Sequence, residues 1–259
     1  MSNFAFVQRE WPTVHEAAGK AESAAHTDPR TACFYARRAL EQAVEWLYRY
    51  DKSLRLPYQN QLNALIHEPG FRKLAGPAIF AKARLIKDLG NEAVHSAKVI
   101  RQIDALNATR ELFHVCFWLA RTYGRGAKPA DGTAFNPDLL PKTQPIPRQT
   151  QEQLRKLSEE LAAKDQRLTE LLSSKATIDE ELVRLREEVA RAKAANEATP
   201  DAHDYSEEAT RNAFIDMLLS EAGWALDQPR DTEFEVDGMP NADGKGYVDY
   251  VLWGDDGKP

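Results

Sequence analysis

The chain has 259 residues, of which 42% are hydrophobic and 29% are charged, and its formal net charge is −6. This length allows one or two domains that each bury a core. No apolar run is long enough for a membrane span, and the N-terminus lacks the basic-then-apolar pattern of a secretion signal. Cys33 and Cys116, the two cysteines, each lie in an apolar helical pattern, which is typical of buried thiols. We therefore expect a cytoplasmic protein with no membrane partner, no disulfide and no zinc site.

Charge is distributed unevenly along the chain. Residues 1–127 hold 18 Lys and Arg against 12 Asp and Glu, residues 128–200 hold 12 against 13, and residues 201–259 hold 4 against 15. The balances of +6, −1 and −11 indicate modules with different tasks. The acidic end would repel DNA phosphates unless cations or other protein parts offset its charge.

Hydrophobic spacing in residues 1–124 predicts an all-α bundle. The strongest helix covers residues 31–48 and follows Pro29, a residue that suits a helix start. A second long helix is predicted over residues 105–123. Shorter helices are predicted around His15, Leu62, Ile79 and Ile86.

The middle of the chain predicts a linker followed by a long helix. Residues 125–150 hold two Gly and five Pro, too many for a helix or a central strand. Residues 151–198 predict one coiled-coil helix, because ten of twelve core positions from Leu154 to Ala192 are apolar. Lys164 and Lys175 interrupt this seam and favour an antiparallel partner or a helix laid on another protein surface. We expect self-association or a helix partner through residues 151–195, with a solitary charged spacer helix as the alternative.

Residues 200–259 change to an α/β pattern. Asp204 can cap a helix with Glu207 at its third position, and that helix should end at Gly223. Strands are predicted over residues 232–236 and 247–253, with a turn rich in Gly, Asn and Asp between them. The sequence ends where a partner strand is expected, which suggests a piece of a longer protein.

Asp249 is the main candidate for chemistry. It lies within a predicted strand of aromatic and β-branched residues, where Asp is disfavoured. A buried carboxylate is costly unless it is paired or binds a metal, so metal ligation is one interpretation. Exposure at an edge, or an ion pair with Arg211, is the alternative. Lys245, between two glycines, could touch a phosphate, although a flexible turn lysine is the simpler interpretation.

The segment from Tyr205 to Pro259 resembles the start of the nuclease domain in R (restriction) subunits of type I restriction enzymes. This resemblance is carried by three pieces in order: the helix with Thr210-Arg211, then Gly223-Trp224, then Gly246-Tyr247-Val248-Asp249-Tyr250-Val251-Leu252. The family has the PD-(D/E)xK nuclease fold, with an Asp on one strand and a Glu-x-Lys on the next. The resemblance implies that Asp249 is a catalytic, metal-binding residue and that Glu207 or Glu208 supplies another acid. For these two glutamates the alternative is a favourable interaction with the helix dipole.

The same resemblance implies the cofactors and partners of the whole enzyme. Phosphodiester cleavage would use Mg²⁺, held by carboxylates and assisted by a Lys. The parent protein would also use ATP to move DNA, and its partners would be DNA and the methyltransferase and specificity subunits. No Glu-x-Lys follows Asp249 and no GxxxxGK[ST] motif is present, so we expect these 259 residues to bind neither cofactor and to be inactive as a nuclease.

The segment Leu89-Gly90-Asn91-Glu92-Ala93-Val94-His95 resembles the signature of a domain of unknown function that is related to HEPN helical bundles. Many HEPN relatives are ribonucleases that use an Arg, four intervening residues and a His. Counting back from His95, the Arg position is Gly90, so ribonuclease activity is the weakest interpretation. Asn91 and His95 could instead form hydrogen bonds within the bundle.

The basic N-terminal region permits contact with nucleic acid through Arg37, Arg38 and Arg84. Arg37 and Arg38 equally suit ion pairs with Glu41 and Glu45 one helical turn away. The complete expectation is a mainly α chain: a helical bundle (1–124), a linker (125–150), a coiled-coil helix (151–198) and an incomplete α/β nuclease segment (200–259). The alternative function is an assembly or nucleic-acid-binding module built from the bundle and the coiled coil.

Overall fold

The computed structural model describes residues 2–143, 149–173, 176–199, 201, 203, 205–224, 231–237 and 245–253. Within the helices and strands, some side chains lie outside this description, among them those of residues 171–180, 207, 208, 211 and 249. The chain divides into two compact units, Met1–Thr210 and Arg211–Pro259. The fold is mainly helical, as the sequence predicts.

Five helices form the bundle of the first unit. They are α1 (Pro12–Ala24), α2 (Pro29–Tyr50), α3 (Leu62–His67), α4 (Pro69–His95) and α5 (Gln102–Tyr123), with a 3₁₀ turn at Ala5–Val7. Asp28 lies directly before Pro29 and caps α2, because its side chain accepts a hydrogen bond from the backbone N–H of Thr31. The two long predicted helices are confirmed, with boundaries that lie within three residues of those expected.

The prediction of separate short helices around Ile79 and Ile86 is wrong, because both residues lie on α4. Helix α4 is kinked at Gly76, whose φ of 71° is in the left-handed region that favours glycine. Pro77 follows directly and cannot continue the backbone ladder across the kink. Gly76 and Pro77 therefore interrupt the helix before Ile79, and Ile79 and Ile86 share the segment that follows the interruption.

The core lies where α2, α4 and α5 pack together. Cys33 and Cys116 are both fully buried and free, and burial raises the pKa of each thiol. This confirms the prediction of buried thiols. The largest completely buried side chains are Phe4, Leu40, Leu47, Ile66, Phe71, Lys82, Leu85, Ile86, Leu112, Phe113, Phe117 and Tyr123.

Residues 125–143 run along the bundle. Asn3 and Asn136 exchange two hydrogen bonds, from Asn3 Nδ2 to Asn136 O (3.0 Å) and from Asn136 N to Asn3 Oδ1 (2.7 Å). Arg121 forms an ion pair with Asp131 at 2.8 Å, and Leu140 is buried. This Pro-rich segment is irregular apart from a 3₁₀ turn at Pro137–Leu139, and it is fixed to the bundle by side chains.

The single coiled-coil helix predicted for residues 151–198 is wrong. The structure has two helices, α6 (Gln151–Ser173) and α7 (Ala176–Glu197), and we call this pair the arm. A straight helix would place Gln151 and Asn196 roughly 70 Å apart. Instead both contact the bundle: Gln151 Nε2 donates to Val94 O (3.2 Å), and Asn196 Nδ2 donates to Thr122 O (2.9 Å). The heptad pattern therefore belongs to two helices that lie against α2, α4 and α5.

Polar side chains attach the arm to the carbonyl ends of the bundle helices. Gln151 contacts the last turn of α4, Arg186 Nε donates to Arg49 O at the end of α2 (2.9 Å), and Asn196 contacts the end of α5. Lys193 Nζ donates to Asp51 Oδ2 (2.6 Å), which also accepts from the hydroxyl of Tyr123 (2.6 Å). The last carbonyls of a helix have no partners within the helix, so the arm satisfies groups that would otherwise need water.

The second unit contains the remainder of α8 (Glu207–Glu221) and the strands β1 (Thr232–Asp237) and β2 (Lys245–Tyr250). The strands are antiparallel, with Phe234 opposite Val248 and Glu235 opposite Tyr247. Gly223 follows the helix with a φ of 97°, which agrees with the predicted helix end. The helix–strand–strand order predicted from the sequence is confirmed. The second strand spans Lys245–Tyr250 instead of the predicted residues 247–253. The predicted cap, Asp204, lies outside the described residues.

Candidate functional site

Asp249 lies on β2, one residue before the end of the strand. The backbone position agrees with the predicted strand, but the side chain lies outside the described residues. The same holds for Glu207 and Glu208, which occupy the first turn of α8, and for Arg211. The structure therefore places these four residues on a helix and a strand without describing how their charged groups are arranged.

Described contacts near Asp249 join β2 to α8 and to the strand β1. The hydroxyl of Tyr250 donates to Asp216 Oδ1 (2.7 Å), and the backbone N–H of Val251 donates to Asp231 O (2.9 Å). Lys245 forms an ion pair with Glu235 on β1. Among the described residues, no group of three His, Cys, Asp or Glu side chains could hold a metal ion. The described side chains therefore provide no complete Mg²⁺ site, and no catalytic step can be derived from them.

The segment 89–95 forms the last turns of α4, and its glycine has a packing role. A Cβ atom on Gly90 would lie 2.2 Å from Cβ of Arg37, so α2 and α4 approach too closely there for any side chain. Asn91 is half-buried and His95 is exposed, and in the described part of the chain neither forms a side-chain hydrogen bond. The predicted alternative of hydrogen bonds within the bundle is therefore absent from the described contacts. Arg30 holds this helix end instead, by donating to Ala93 O (2.7 Å) and Ser96 O (2.8 Å).

The three candidate nucleic-acid contacts each lie beside a carboxylate. Arg37 is 3.7 Å from Glu41, and Arg38 pairs with both Glu41 (3.3 Å) and Asp165 of α6. Arg84 lies 3.8 Å from Asp88. The predicted alternative of ion pairs one turn apart on α2 is thus observed for Glu41. A phosphate would have to compete with these acids, and for Arg38 with the contact between α2 and the arm.

Glu45, the other acid considered as a partner, lies in a cleft between α2 and the arm. The cleft has a volume of about 780 Å³. Its apolar lining includes Phe34, Tyr48, Leu65, Leu161 and Ala162, and its charged lining includes Arg37, Arg38, Glu41, Glu45, Arg49, Asp165, Glu170 and Arg186. Sequence analysis could not find this cleft, because it exists only where α6 lies against α2.

A buried polar cluster between α4, α5 and the start of α8 was also missed. Lys82 and Glu111 are both completely buried and form an ion pair at 2.8 Å. Thr210 Oγ1 donates to the same carboxylate oxygen (2.8 Å), and Lys82 Nζ also contacts Thr210 Oγ1. Arg110 Nε, at 3.0 Å, pairs with the second oxygen of Glu111. Since every charged group has a partner, this cluster fixes residues near Ser206 and Thr210 to the bundle.

Two histidines lie close to this cluster. His114 Nδ1 and His203 Nε2 are 3.2 Å apart and share one hydrogen bond, and the ring of His203 stacks on Phe117 with centroids 3.8 Å apart. Burial lowers the pKa of His114 to about 4, because the protein displaces the water that would solvate the imidazolium. The charges of Glu111 and Lys82 act in opposite directions on it. His114 is thus a neutral hydrogen-bonding group at neutral pH.

These features define an all-α domain in which a helical bundle is covered by a two-helix arm. Residues 19–170 match the model of DUF4145, a domain of unknown function. The chain therefore belongs to the DUF4145 family, whose match extends through the bundle, the irregular segment and most of α6. No curated protein and no solved structure matches the chain. In the described residues, none of the helices is long and apolar enough to cross a membrane.

Proposed function

We propose that this chain is the N-terminal part of the DNA-cleaving R subunit of a type I restriction enzyme, which defends a cell against foreign DNA. The observation that carries the proposal is Asp249 on β2, in a unit whose order is helix, strand, strand. The tyrosine next to it, Tyr250, joins β2 to α8 through Asp216 at 2.7 Å. A helix packed beside the strand that bears the metal-binding Asp is the arrangement that the resemblance of residues 205–259 implies.

The proposed chemistry needs more groups than these residues supply. A hard cation such as Mg²⁺ requires carboxylate ligands, and the attacking water needs a Lys or an equivalent group nearby. Asp249, with Glu207 or Glu208, would contribute carboxylates. Between Asp249 and Pro259 the sequence has no Glu-x-Lys. We therefore assign DNA cleavage, with Mg²⁺ and ATP as cofactors, to the full-length gene product, and we expect the 259-residue chain to be inactive.

The DUF4145 domain would be an accessory part of that enzyme. Its buried Lys82–Glu111–Thr210 cluster lies within the first compact unit, which ends at Thr210. The acidic balance of −11 in residues 201–259 means that cations, or basic surfaces of the DNA-bound complex, must offset repulsion of the DNA. The partners in this proposal are the methyltransferase and specificity subunits and the DNA itself.

The test is Mg²⁺-dependent cleavage of plasmid DNA by the full-length gene product assembled with its partner subunits. Asp249→Asn should abolish cleavage. The control is Asp237→Asn, which changes an exposed Asp at the end of the neighbouring strand and should leave cleavage unchanged. Cleavage that survives Asp249→Asn, or a gene product that binds no Mg²⁺, would remove the basis of the proposal.

A second candidate function is an assembly module, and the arm provides the observation in its favour. Leu168 on α6 and Val183 on α7 are 58% and 48% exposed, although both helices already pack against the bundle. Exposed apolar side chains of this kind are available for contact with a partner. Sedimentation of the full chain and of a chain ending at Thr210 tests this candidate, because the first compact unit ends there. Self-association that persists in the shorter chain and is lost in Leu168→Asp would favour it.

A further inference from the structure

The cleft between α2 and the arm has the size and the walls of a small-ligand site. Its volume of about 780 Å³ lies within the usual range of roughly 300 to 1,000 Å³ for such sites. The walls combine aromatic and aliphatic side chains from α2 and α6 with a few charged groups. Tyr48 donates its hydroxyl hydrogen to Leu65 O (2.7 Å), so this hydroxyl is already satisfied, and its ring is almost completely buried. The accessible apolar wall is therefore formed by Leu56, Leu161 and Ala162.

Most charged groups of the cleft already have protein partners. Arg38 pairs with Glu41 and Asp165, Arg37 lies near Glu41, and Arg186 donates to Arg49 O. Glu45 is different, because it forms no ion pair and no hydrogen bond with the described residues. Its side chain is exposed and lies at the wall of the cleft. A ligand group could therefore reach Glu45 without breaking an existing contact.

The surroundings of Glu45 favour a positive ligand group. The pKa of Glu45 is raised to about 7, first because the cleft walls displace water and then because Glu41 and Asp165 are close. Arg38 and Arg49 lower the pKa by less than the two acids raise it. Among the described residues, the charged groups that line the cleft are Arg37, Arg38, Glu41, Glu45 and Arg49 on α2, Asp165 and Glu170 on α6, and Arg186 on α7. At Glu45 the effect of Glu41 and Asp165 outweighs that of Arg38 and Arg49, which favours a positive ligand group.

We propose that this cleft binds a small organic cation, with its ammonium group on Glu45 and an apolar body against Leu56, Leu161 and Ala162. The carboxylate of Glu45 supplies a charge-assisted hydrogen bond at the exposed wall of the cleft. The apolar walls bury the body of the ligand. This site is independent of the proposed nuclease role, since it belongs entirely to the first compact unit.

Binding should depend on pH in a defined direction. The cation binds the ionised carboxylate, so binding must displace any proton on Glu45. With a pKa of about 7, the ionised fraction rises from about a tenth at pH 6 to about nine tenths at pH 8, and the affinity should rise roughly ten-fold with it. An aliphatic ammonium group stays protonated over this range, because its pKa is near that of Lys, about 10. The pH dependence therefore reports on the protein group.

The experiment is isothermal titration of the full chain with three matched probes: 2-phenylethylamine, 2-phenylethanol and phenylacetate. The amine should bind at least about ten-fold more tightly than the alcohol at pH 8, since a charge-assisted hydrogen bond contributes that much. Phenylacetate should bind more weakly than the alcohol. Equal binding of amine and alcohol, or a preference for the anion, would overturn the proposal.

Variants and a fourth probe complete the test. Glu45→Gln should reduce amine binding to the level of the alcohol and remove the pH dependence, while alcohol binding stays unchanged and shows that the cleft is intact. Glu159→Gln is the control, because Glu159 lies on α6, pairs with Arg155 and does not line the cleft. Unchanged amine binding in Glu45→Gln would contradict the proposal. Tighter binding of N-acetyl-lysine amide than of phenylethylamine would assign the cleft to a lysine of a partner protein and would also overturn the small-ligand assignment.

Discussion

Replacement of Gly90 by Ala tests whether the glycine in the segment 89–95 serves helix packing. The added Cβ would lie 2.2 Å from Cβ of Arg37, 2.7 Å from its Cδ and 2.9 Å from its Cγ. Carbon atoms in good contact are about 3.5 to 4.0 Å apart, so relief of the closest contact requires a movement of more than 1 Å. Cβ of Arg37 is fixed by the backbone of α2. A rotation of the arginine side chain therefore cannot remove the overlap, and α2 and α4 must separate.

The expected free-energy change combines two opposing effects. Ala has a higher helix propensity than Gly by about 1 kcal/mol. Overpacking in a core interface costs about 1 to 3 kcal/mol, and an overlap of this size belongs at the upper end. The free energy of unfolding should therefore fall by about 2 kcal/mol, which lowers the melting temperature by roughly 4 to 8 °C in a protein of this size. Urea denaturation followed by circular dichroism at 222 nm measures the change.

Gly19→Ala is the matched control. Gly19 lies inside α1, and a Cβ atom there would meet nothing within 4 Å. This substitution should stabilise the chain by about 0.5 to 1 kcal/mol through helix propensity alone. A double-mutant cycle then locates the clash: Arg37→Gly should rescue Gly90→Ala with a coupling energy of about 2 kcal/mol, whereas Arg37→Ala keeps its Cβ and should not. The packing explanation is refuted if Gly90→Ala is as stable as Gly19→Ala.

Three further predictions concern buried polar contacts. Lys82→Met should lower the free energy of unfolding by about 3 kcal/mol, because the buried Glu111 then loses its lysine and keeps only its contacts with Arg110 and Thr210; an unchanged urea midpoint would contradict this. The imidazole of His114 stays neutral in the folded chain to a pH of about 4, while in the unfolded chain it binds a proton below 6.5, so stability should fall as the pH drops through this window. His114→Gln should flatten that part of the pH profile in thermal unfolding. Asn196→Ala should speed hydrogen exchange in α7 and cost about 1 kcal/mol, while exchange in α1 stays unchanged.

Local sequence signals predicted the helices of the bundle well. Asp28 followed by Pro29 is a cap followed by a residue that suits the first helical turn, and α2 begins there. The patterns of residues 232–236 and 247–253 predicted two strands, and the structure pairs them as antiparallel neighbours. A helix cap and the alternation of a strand are set by residues that are close in the sequence, so the local sequence is sufficient to predict them.

The sites depend on contacts between distant residues, and the sequence could not provide these. Lys82 lies in an ordinary amphipathic pattern, and only the fold brings it to Glu111, 29 positions away, and to Thr210, 128 positions away. The cleft at Glu45 needs α6, which is more than a hundred positions further along the chain. In the segment 89–95 the sequence pattern pointed to Asn91 and His95 as candidate functional residues. The structure shows instead that Gly90 allows the close approach of α4 to Arg37 on α2.

The heptad pattern of the arm shows most clearly how one pattern can describe two arrangements. A coiled-coil seam and a helix laid on a bundle both need apolar residues at the same spacing. The structure separates them by burial: Leu154, near the start of α6, is completely buried, while Leu168, two heptads further along the same seam, is 58% exposed. In a coiled-coil dimer the two leucines would be equally buried.

A matched pair of substitutions therefore distinguishes the two arrangements. Leu154→Ala should cost about 2 to 3 kcal/mol, because it leaves a cavity against the bundle. Leu168→Ala should change the free energy of unfolding by less than about 0.5 kcal/mol, as is usual for an exposed position. Equal costs at both positions, with a melting temperature that rises with protein concentration, would mean that the seam joins two chains. Unequal costs at a constant melting temperature would mean that the bundle occupies the anchored end of the seam and leaves its middle, around Leu168, open to a partner.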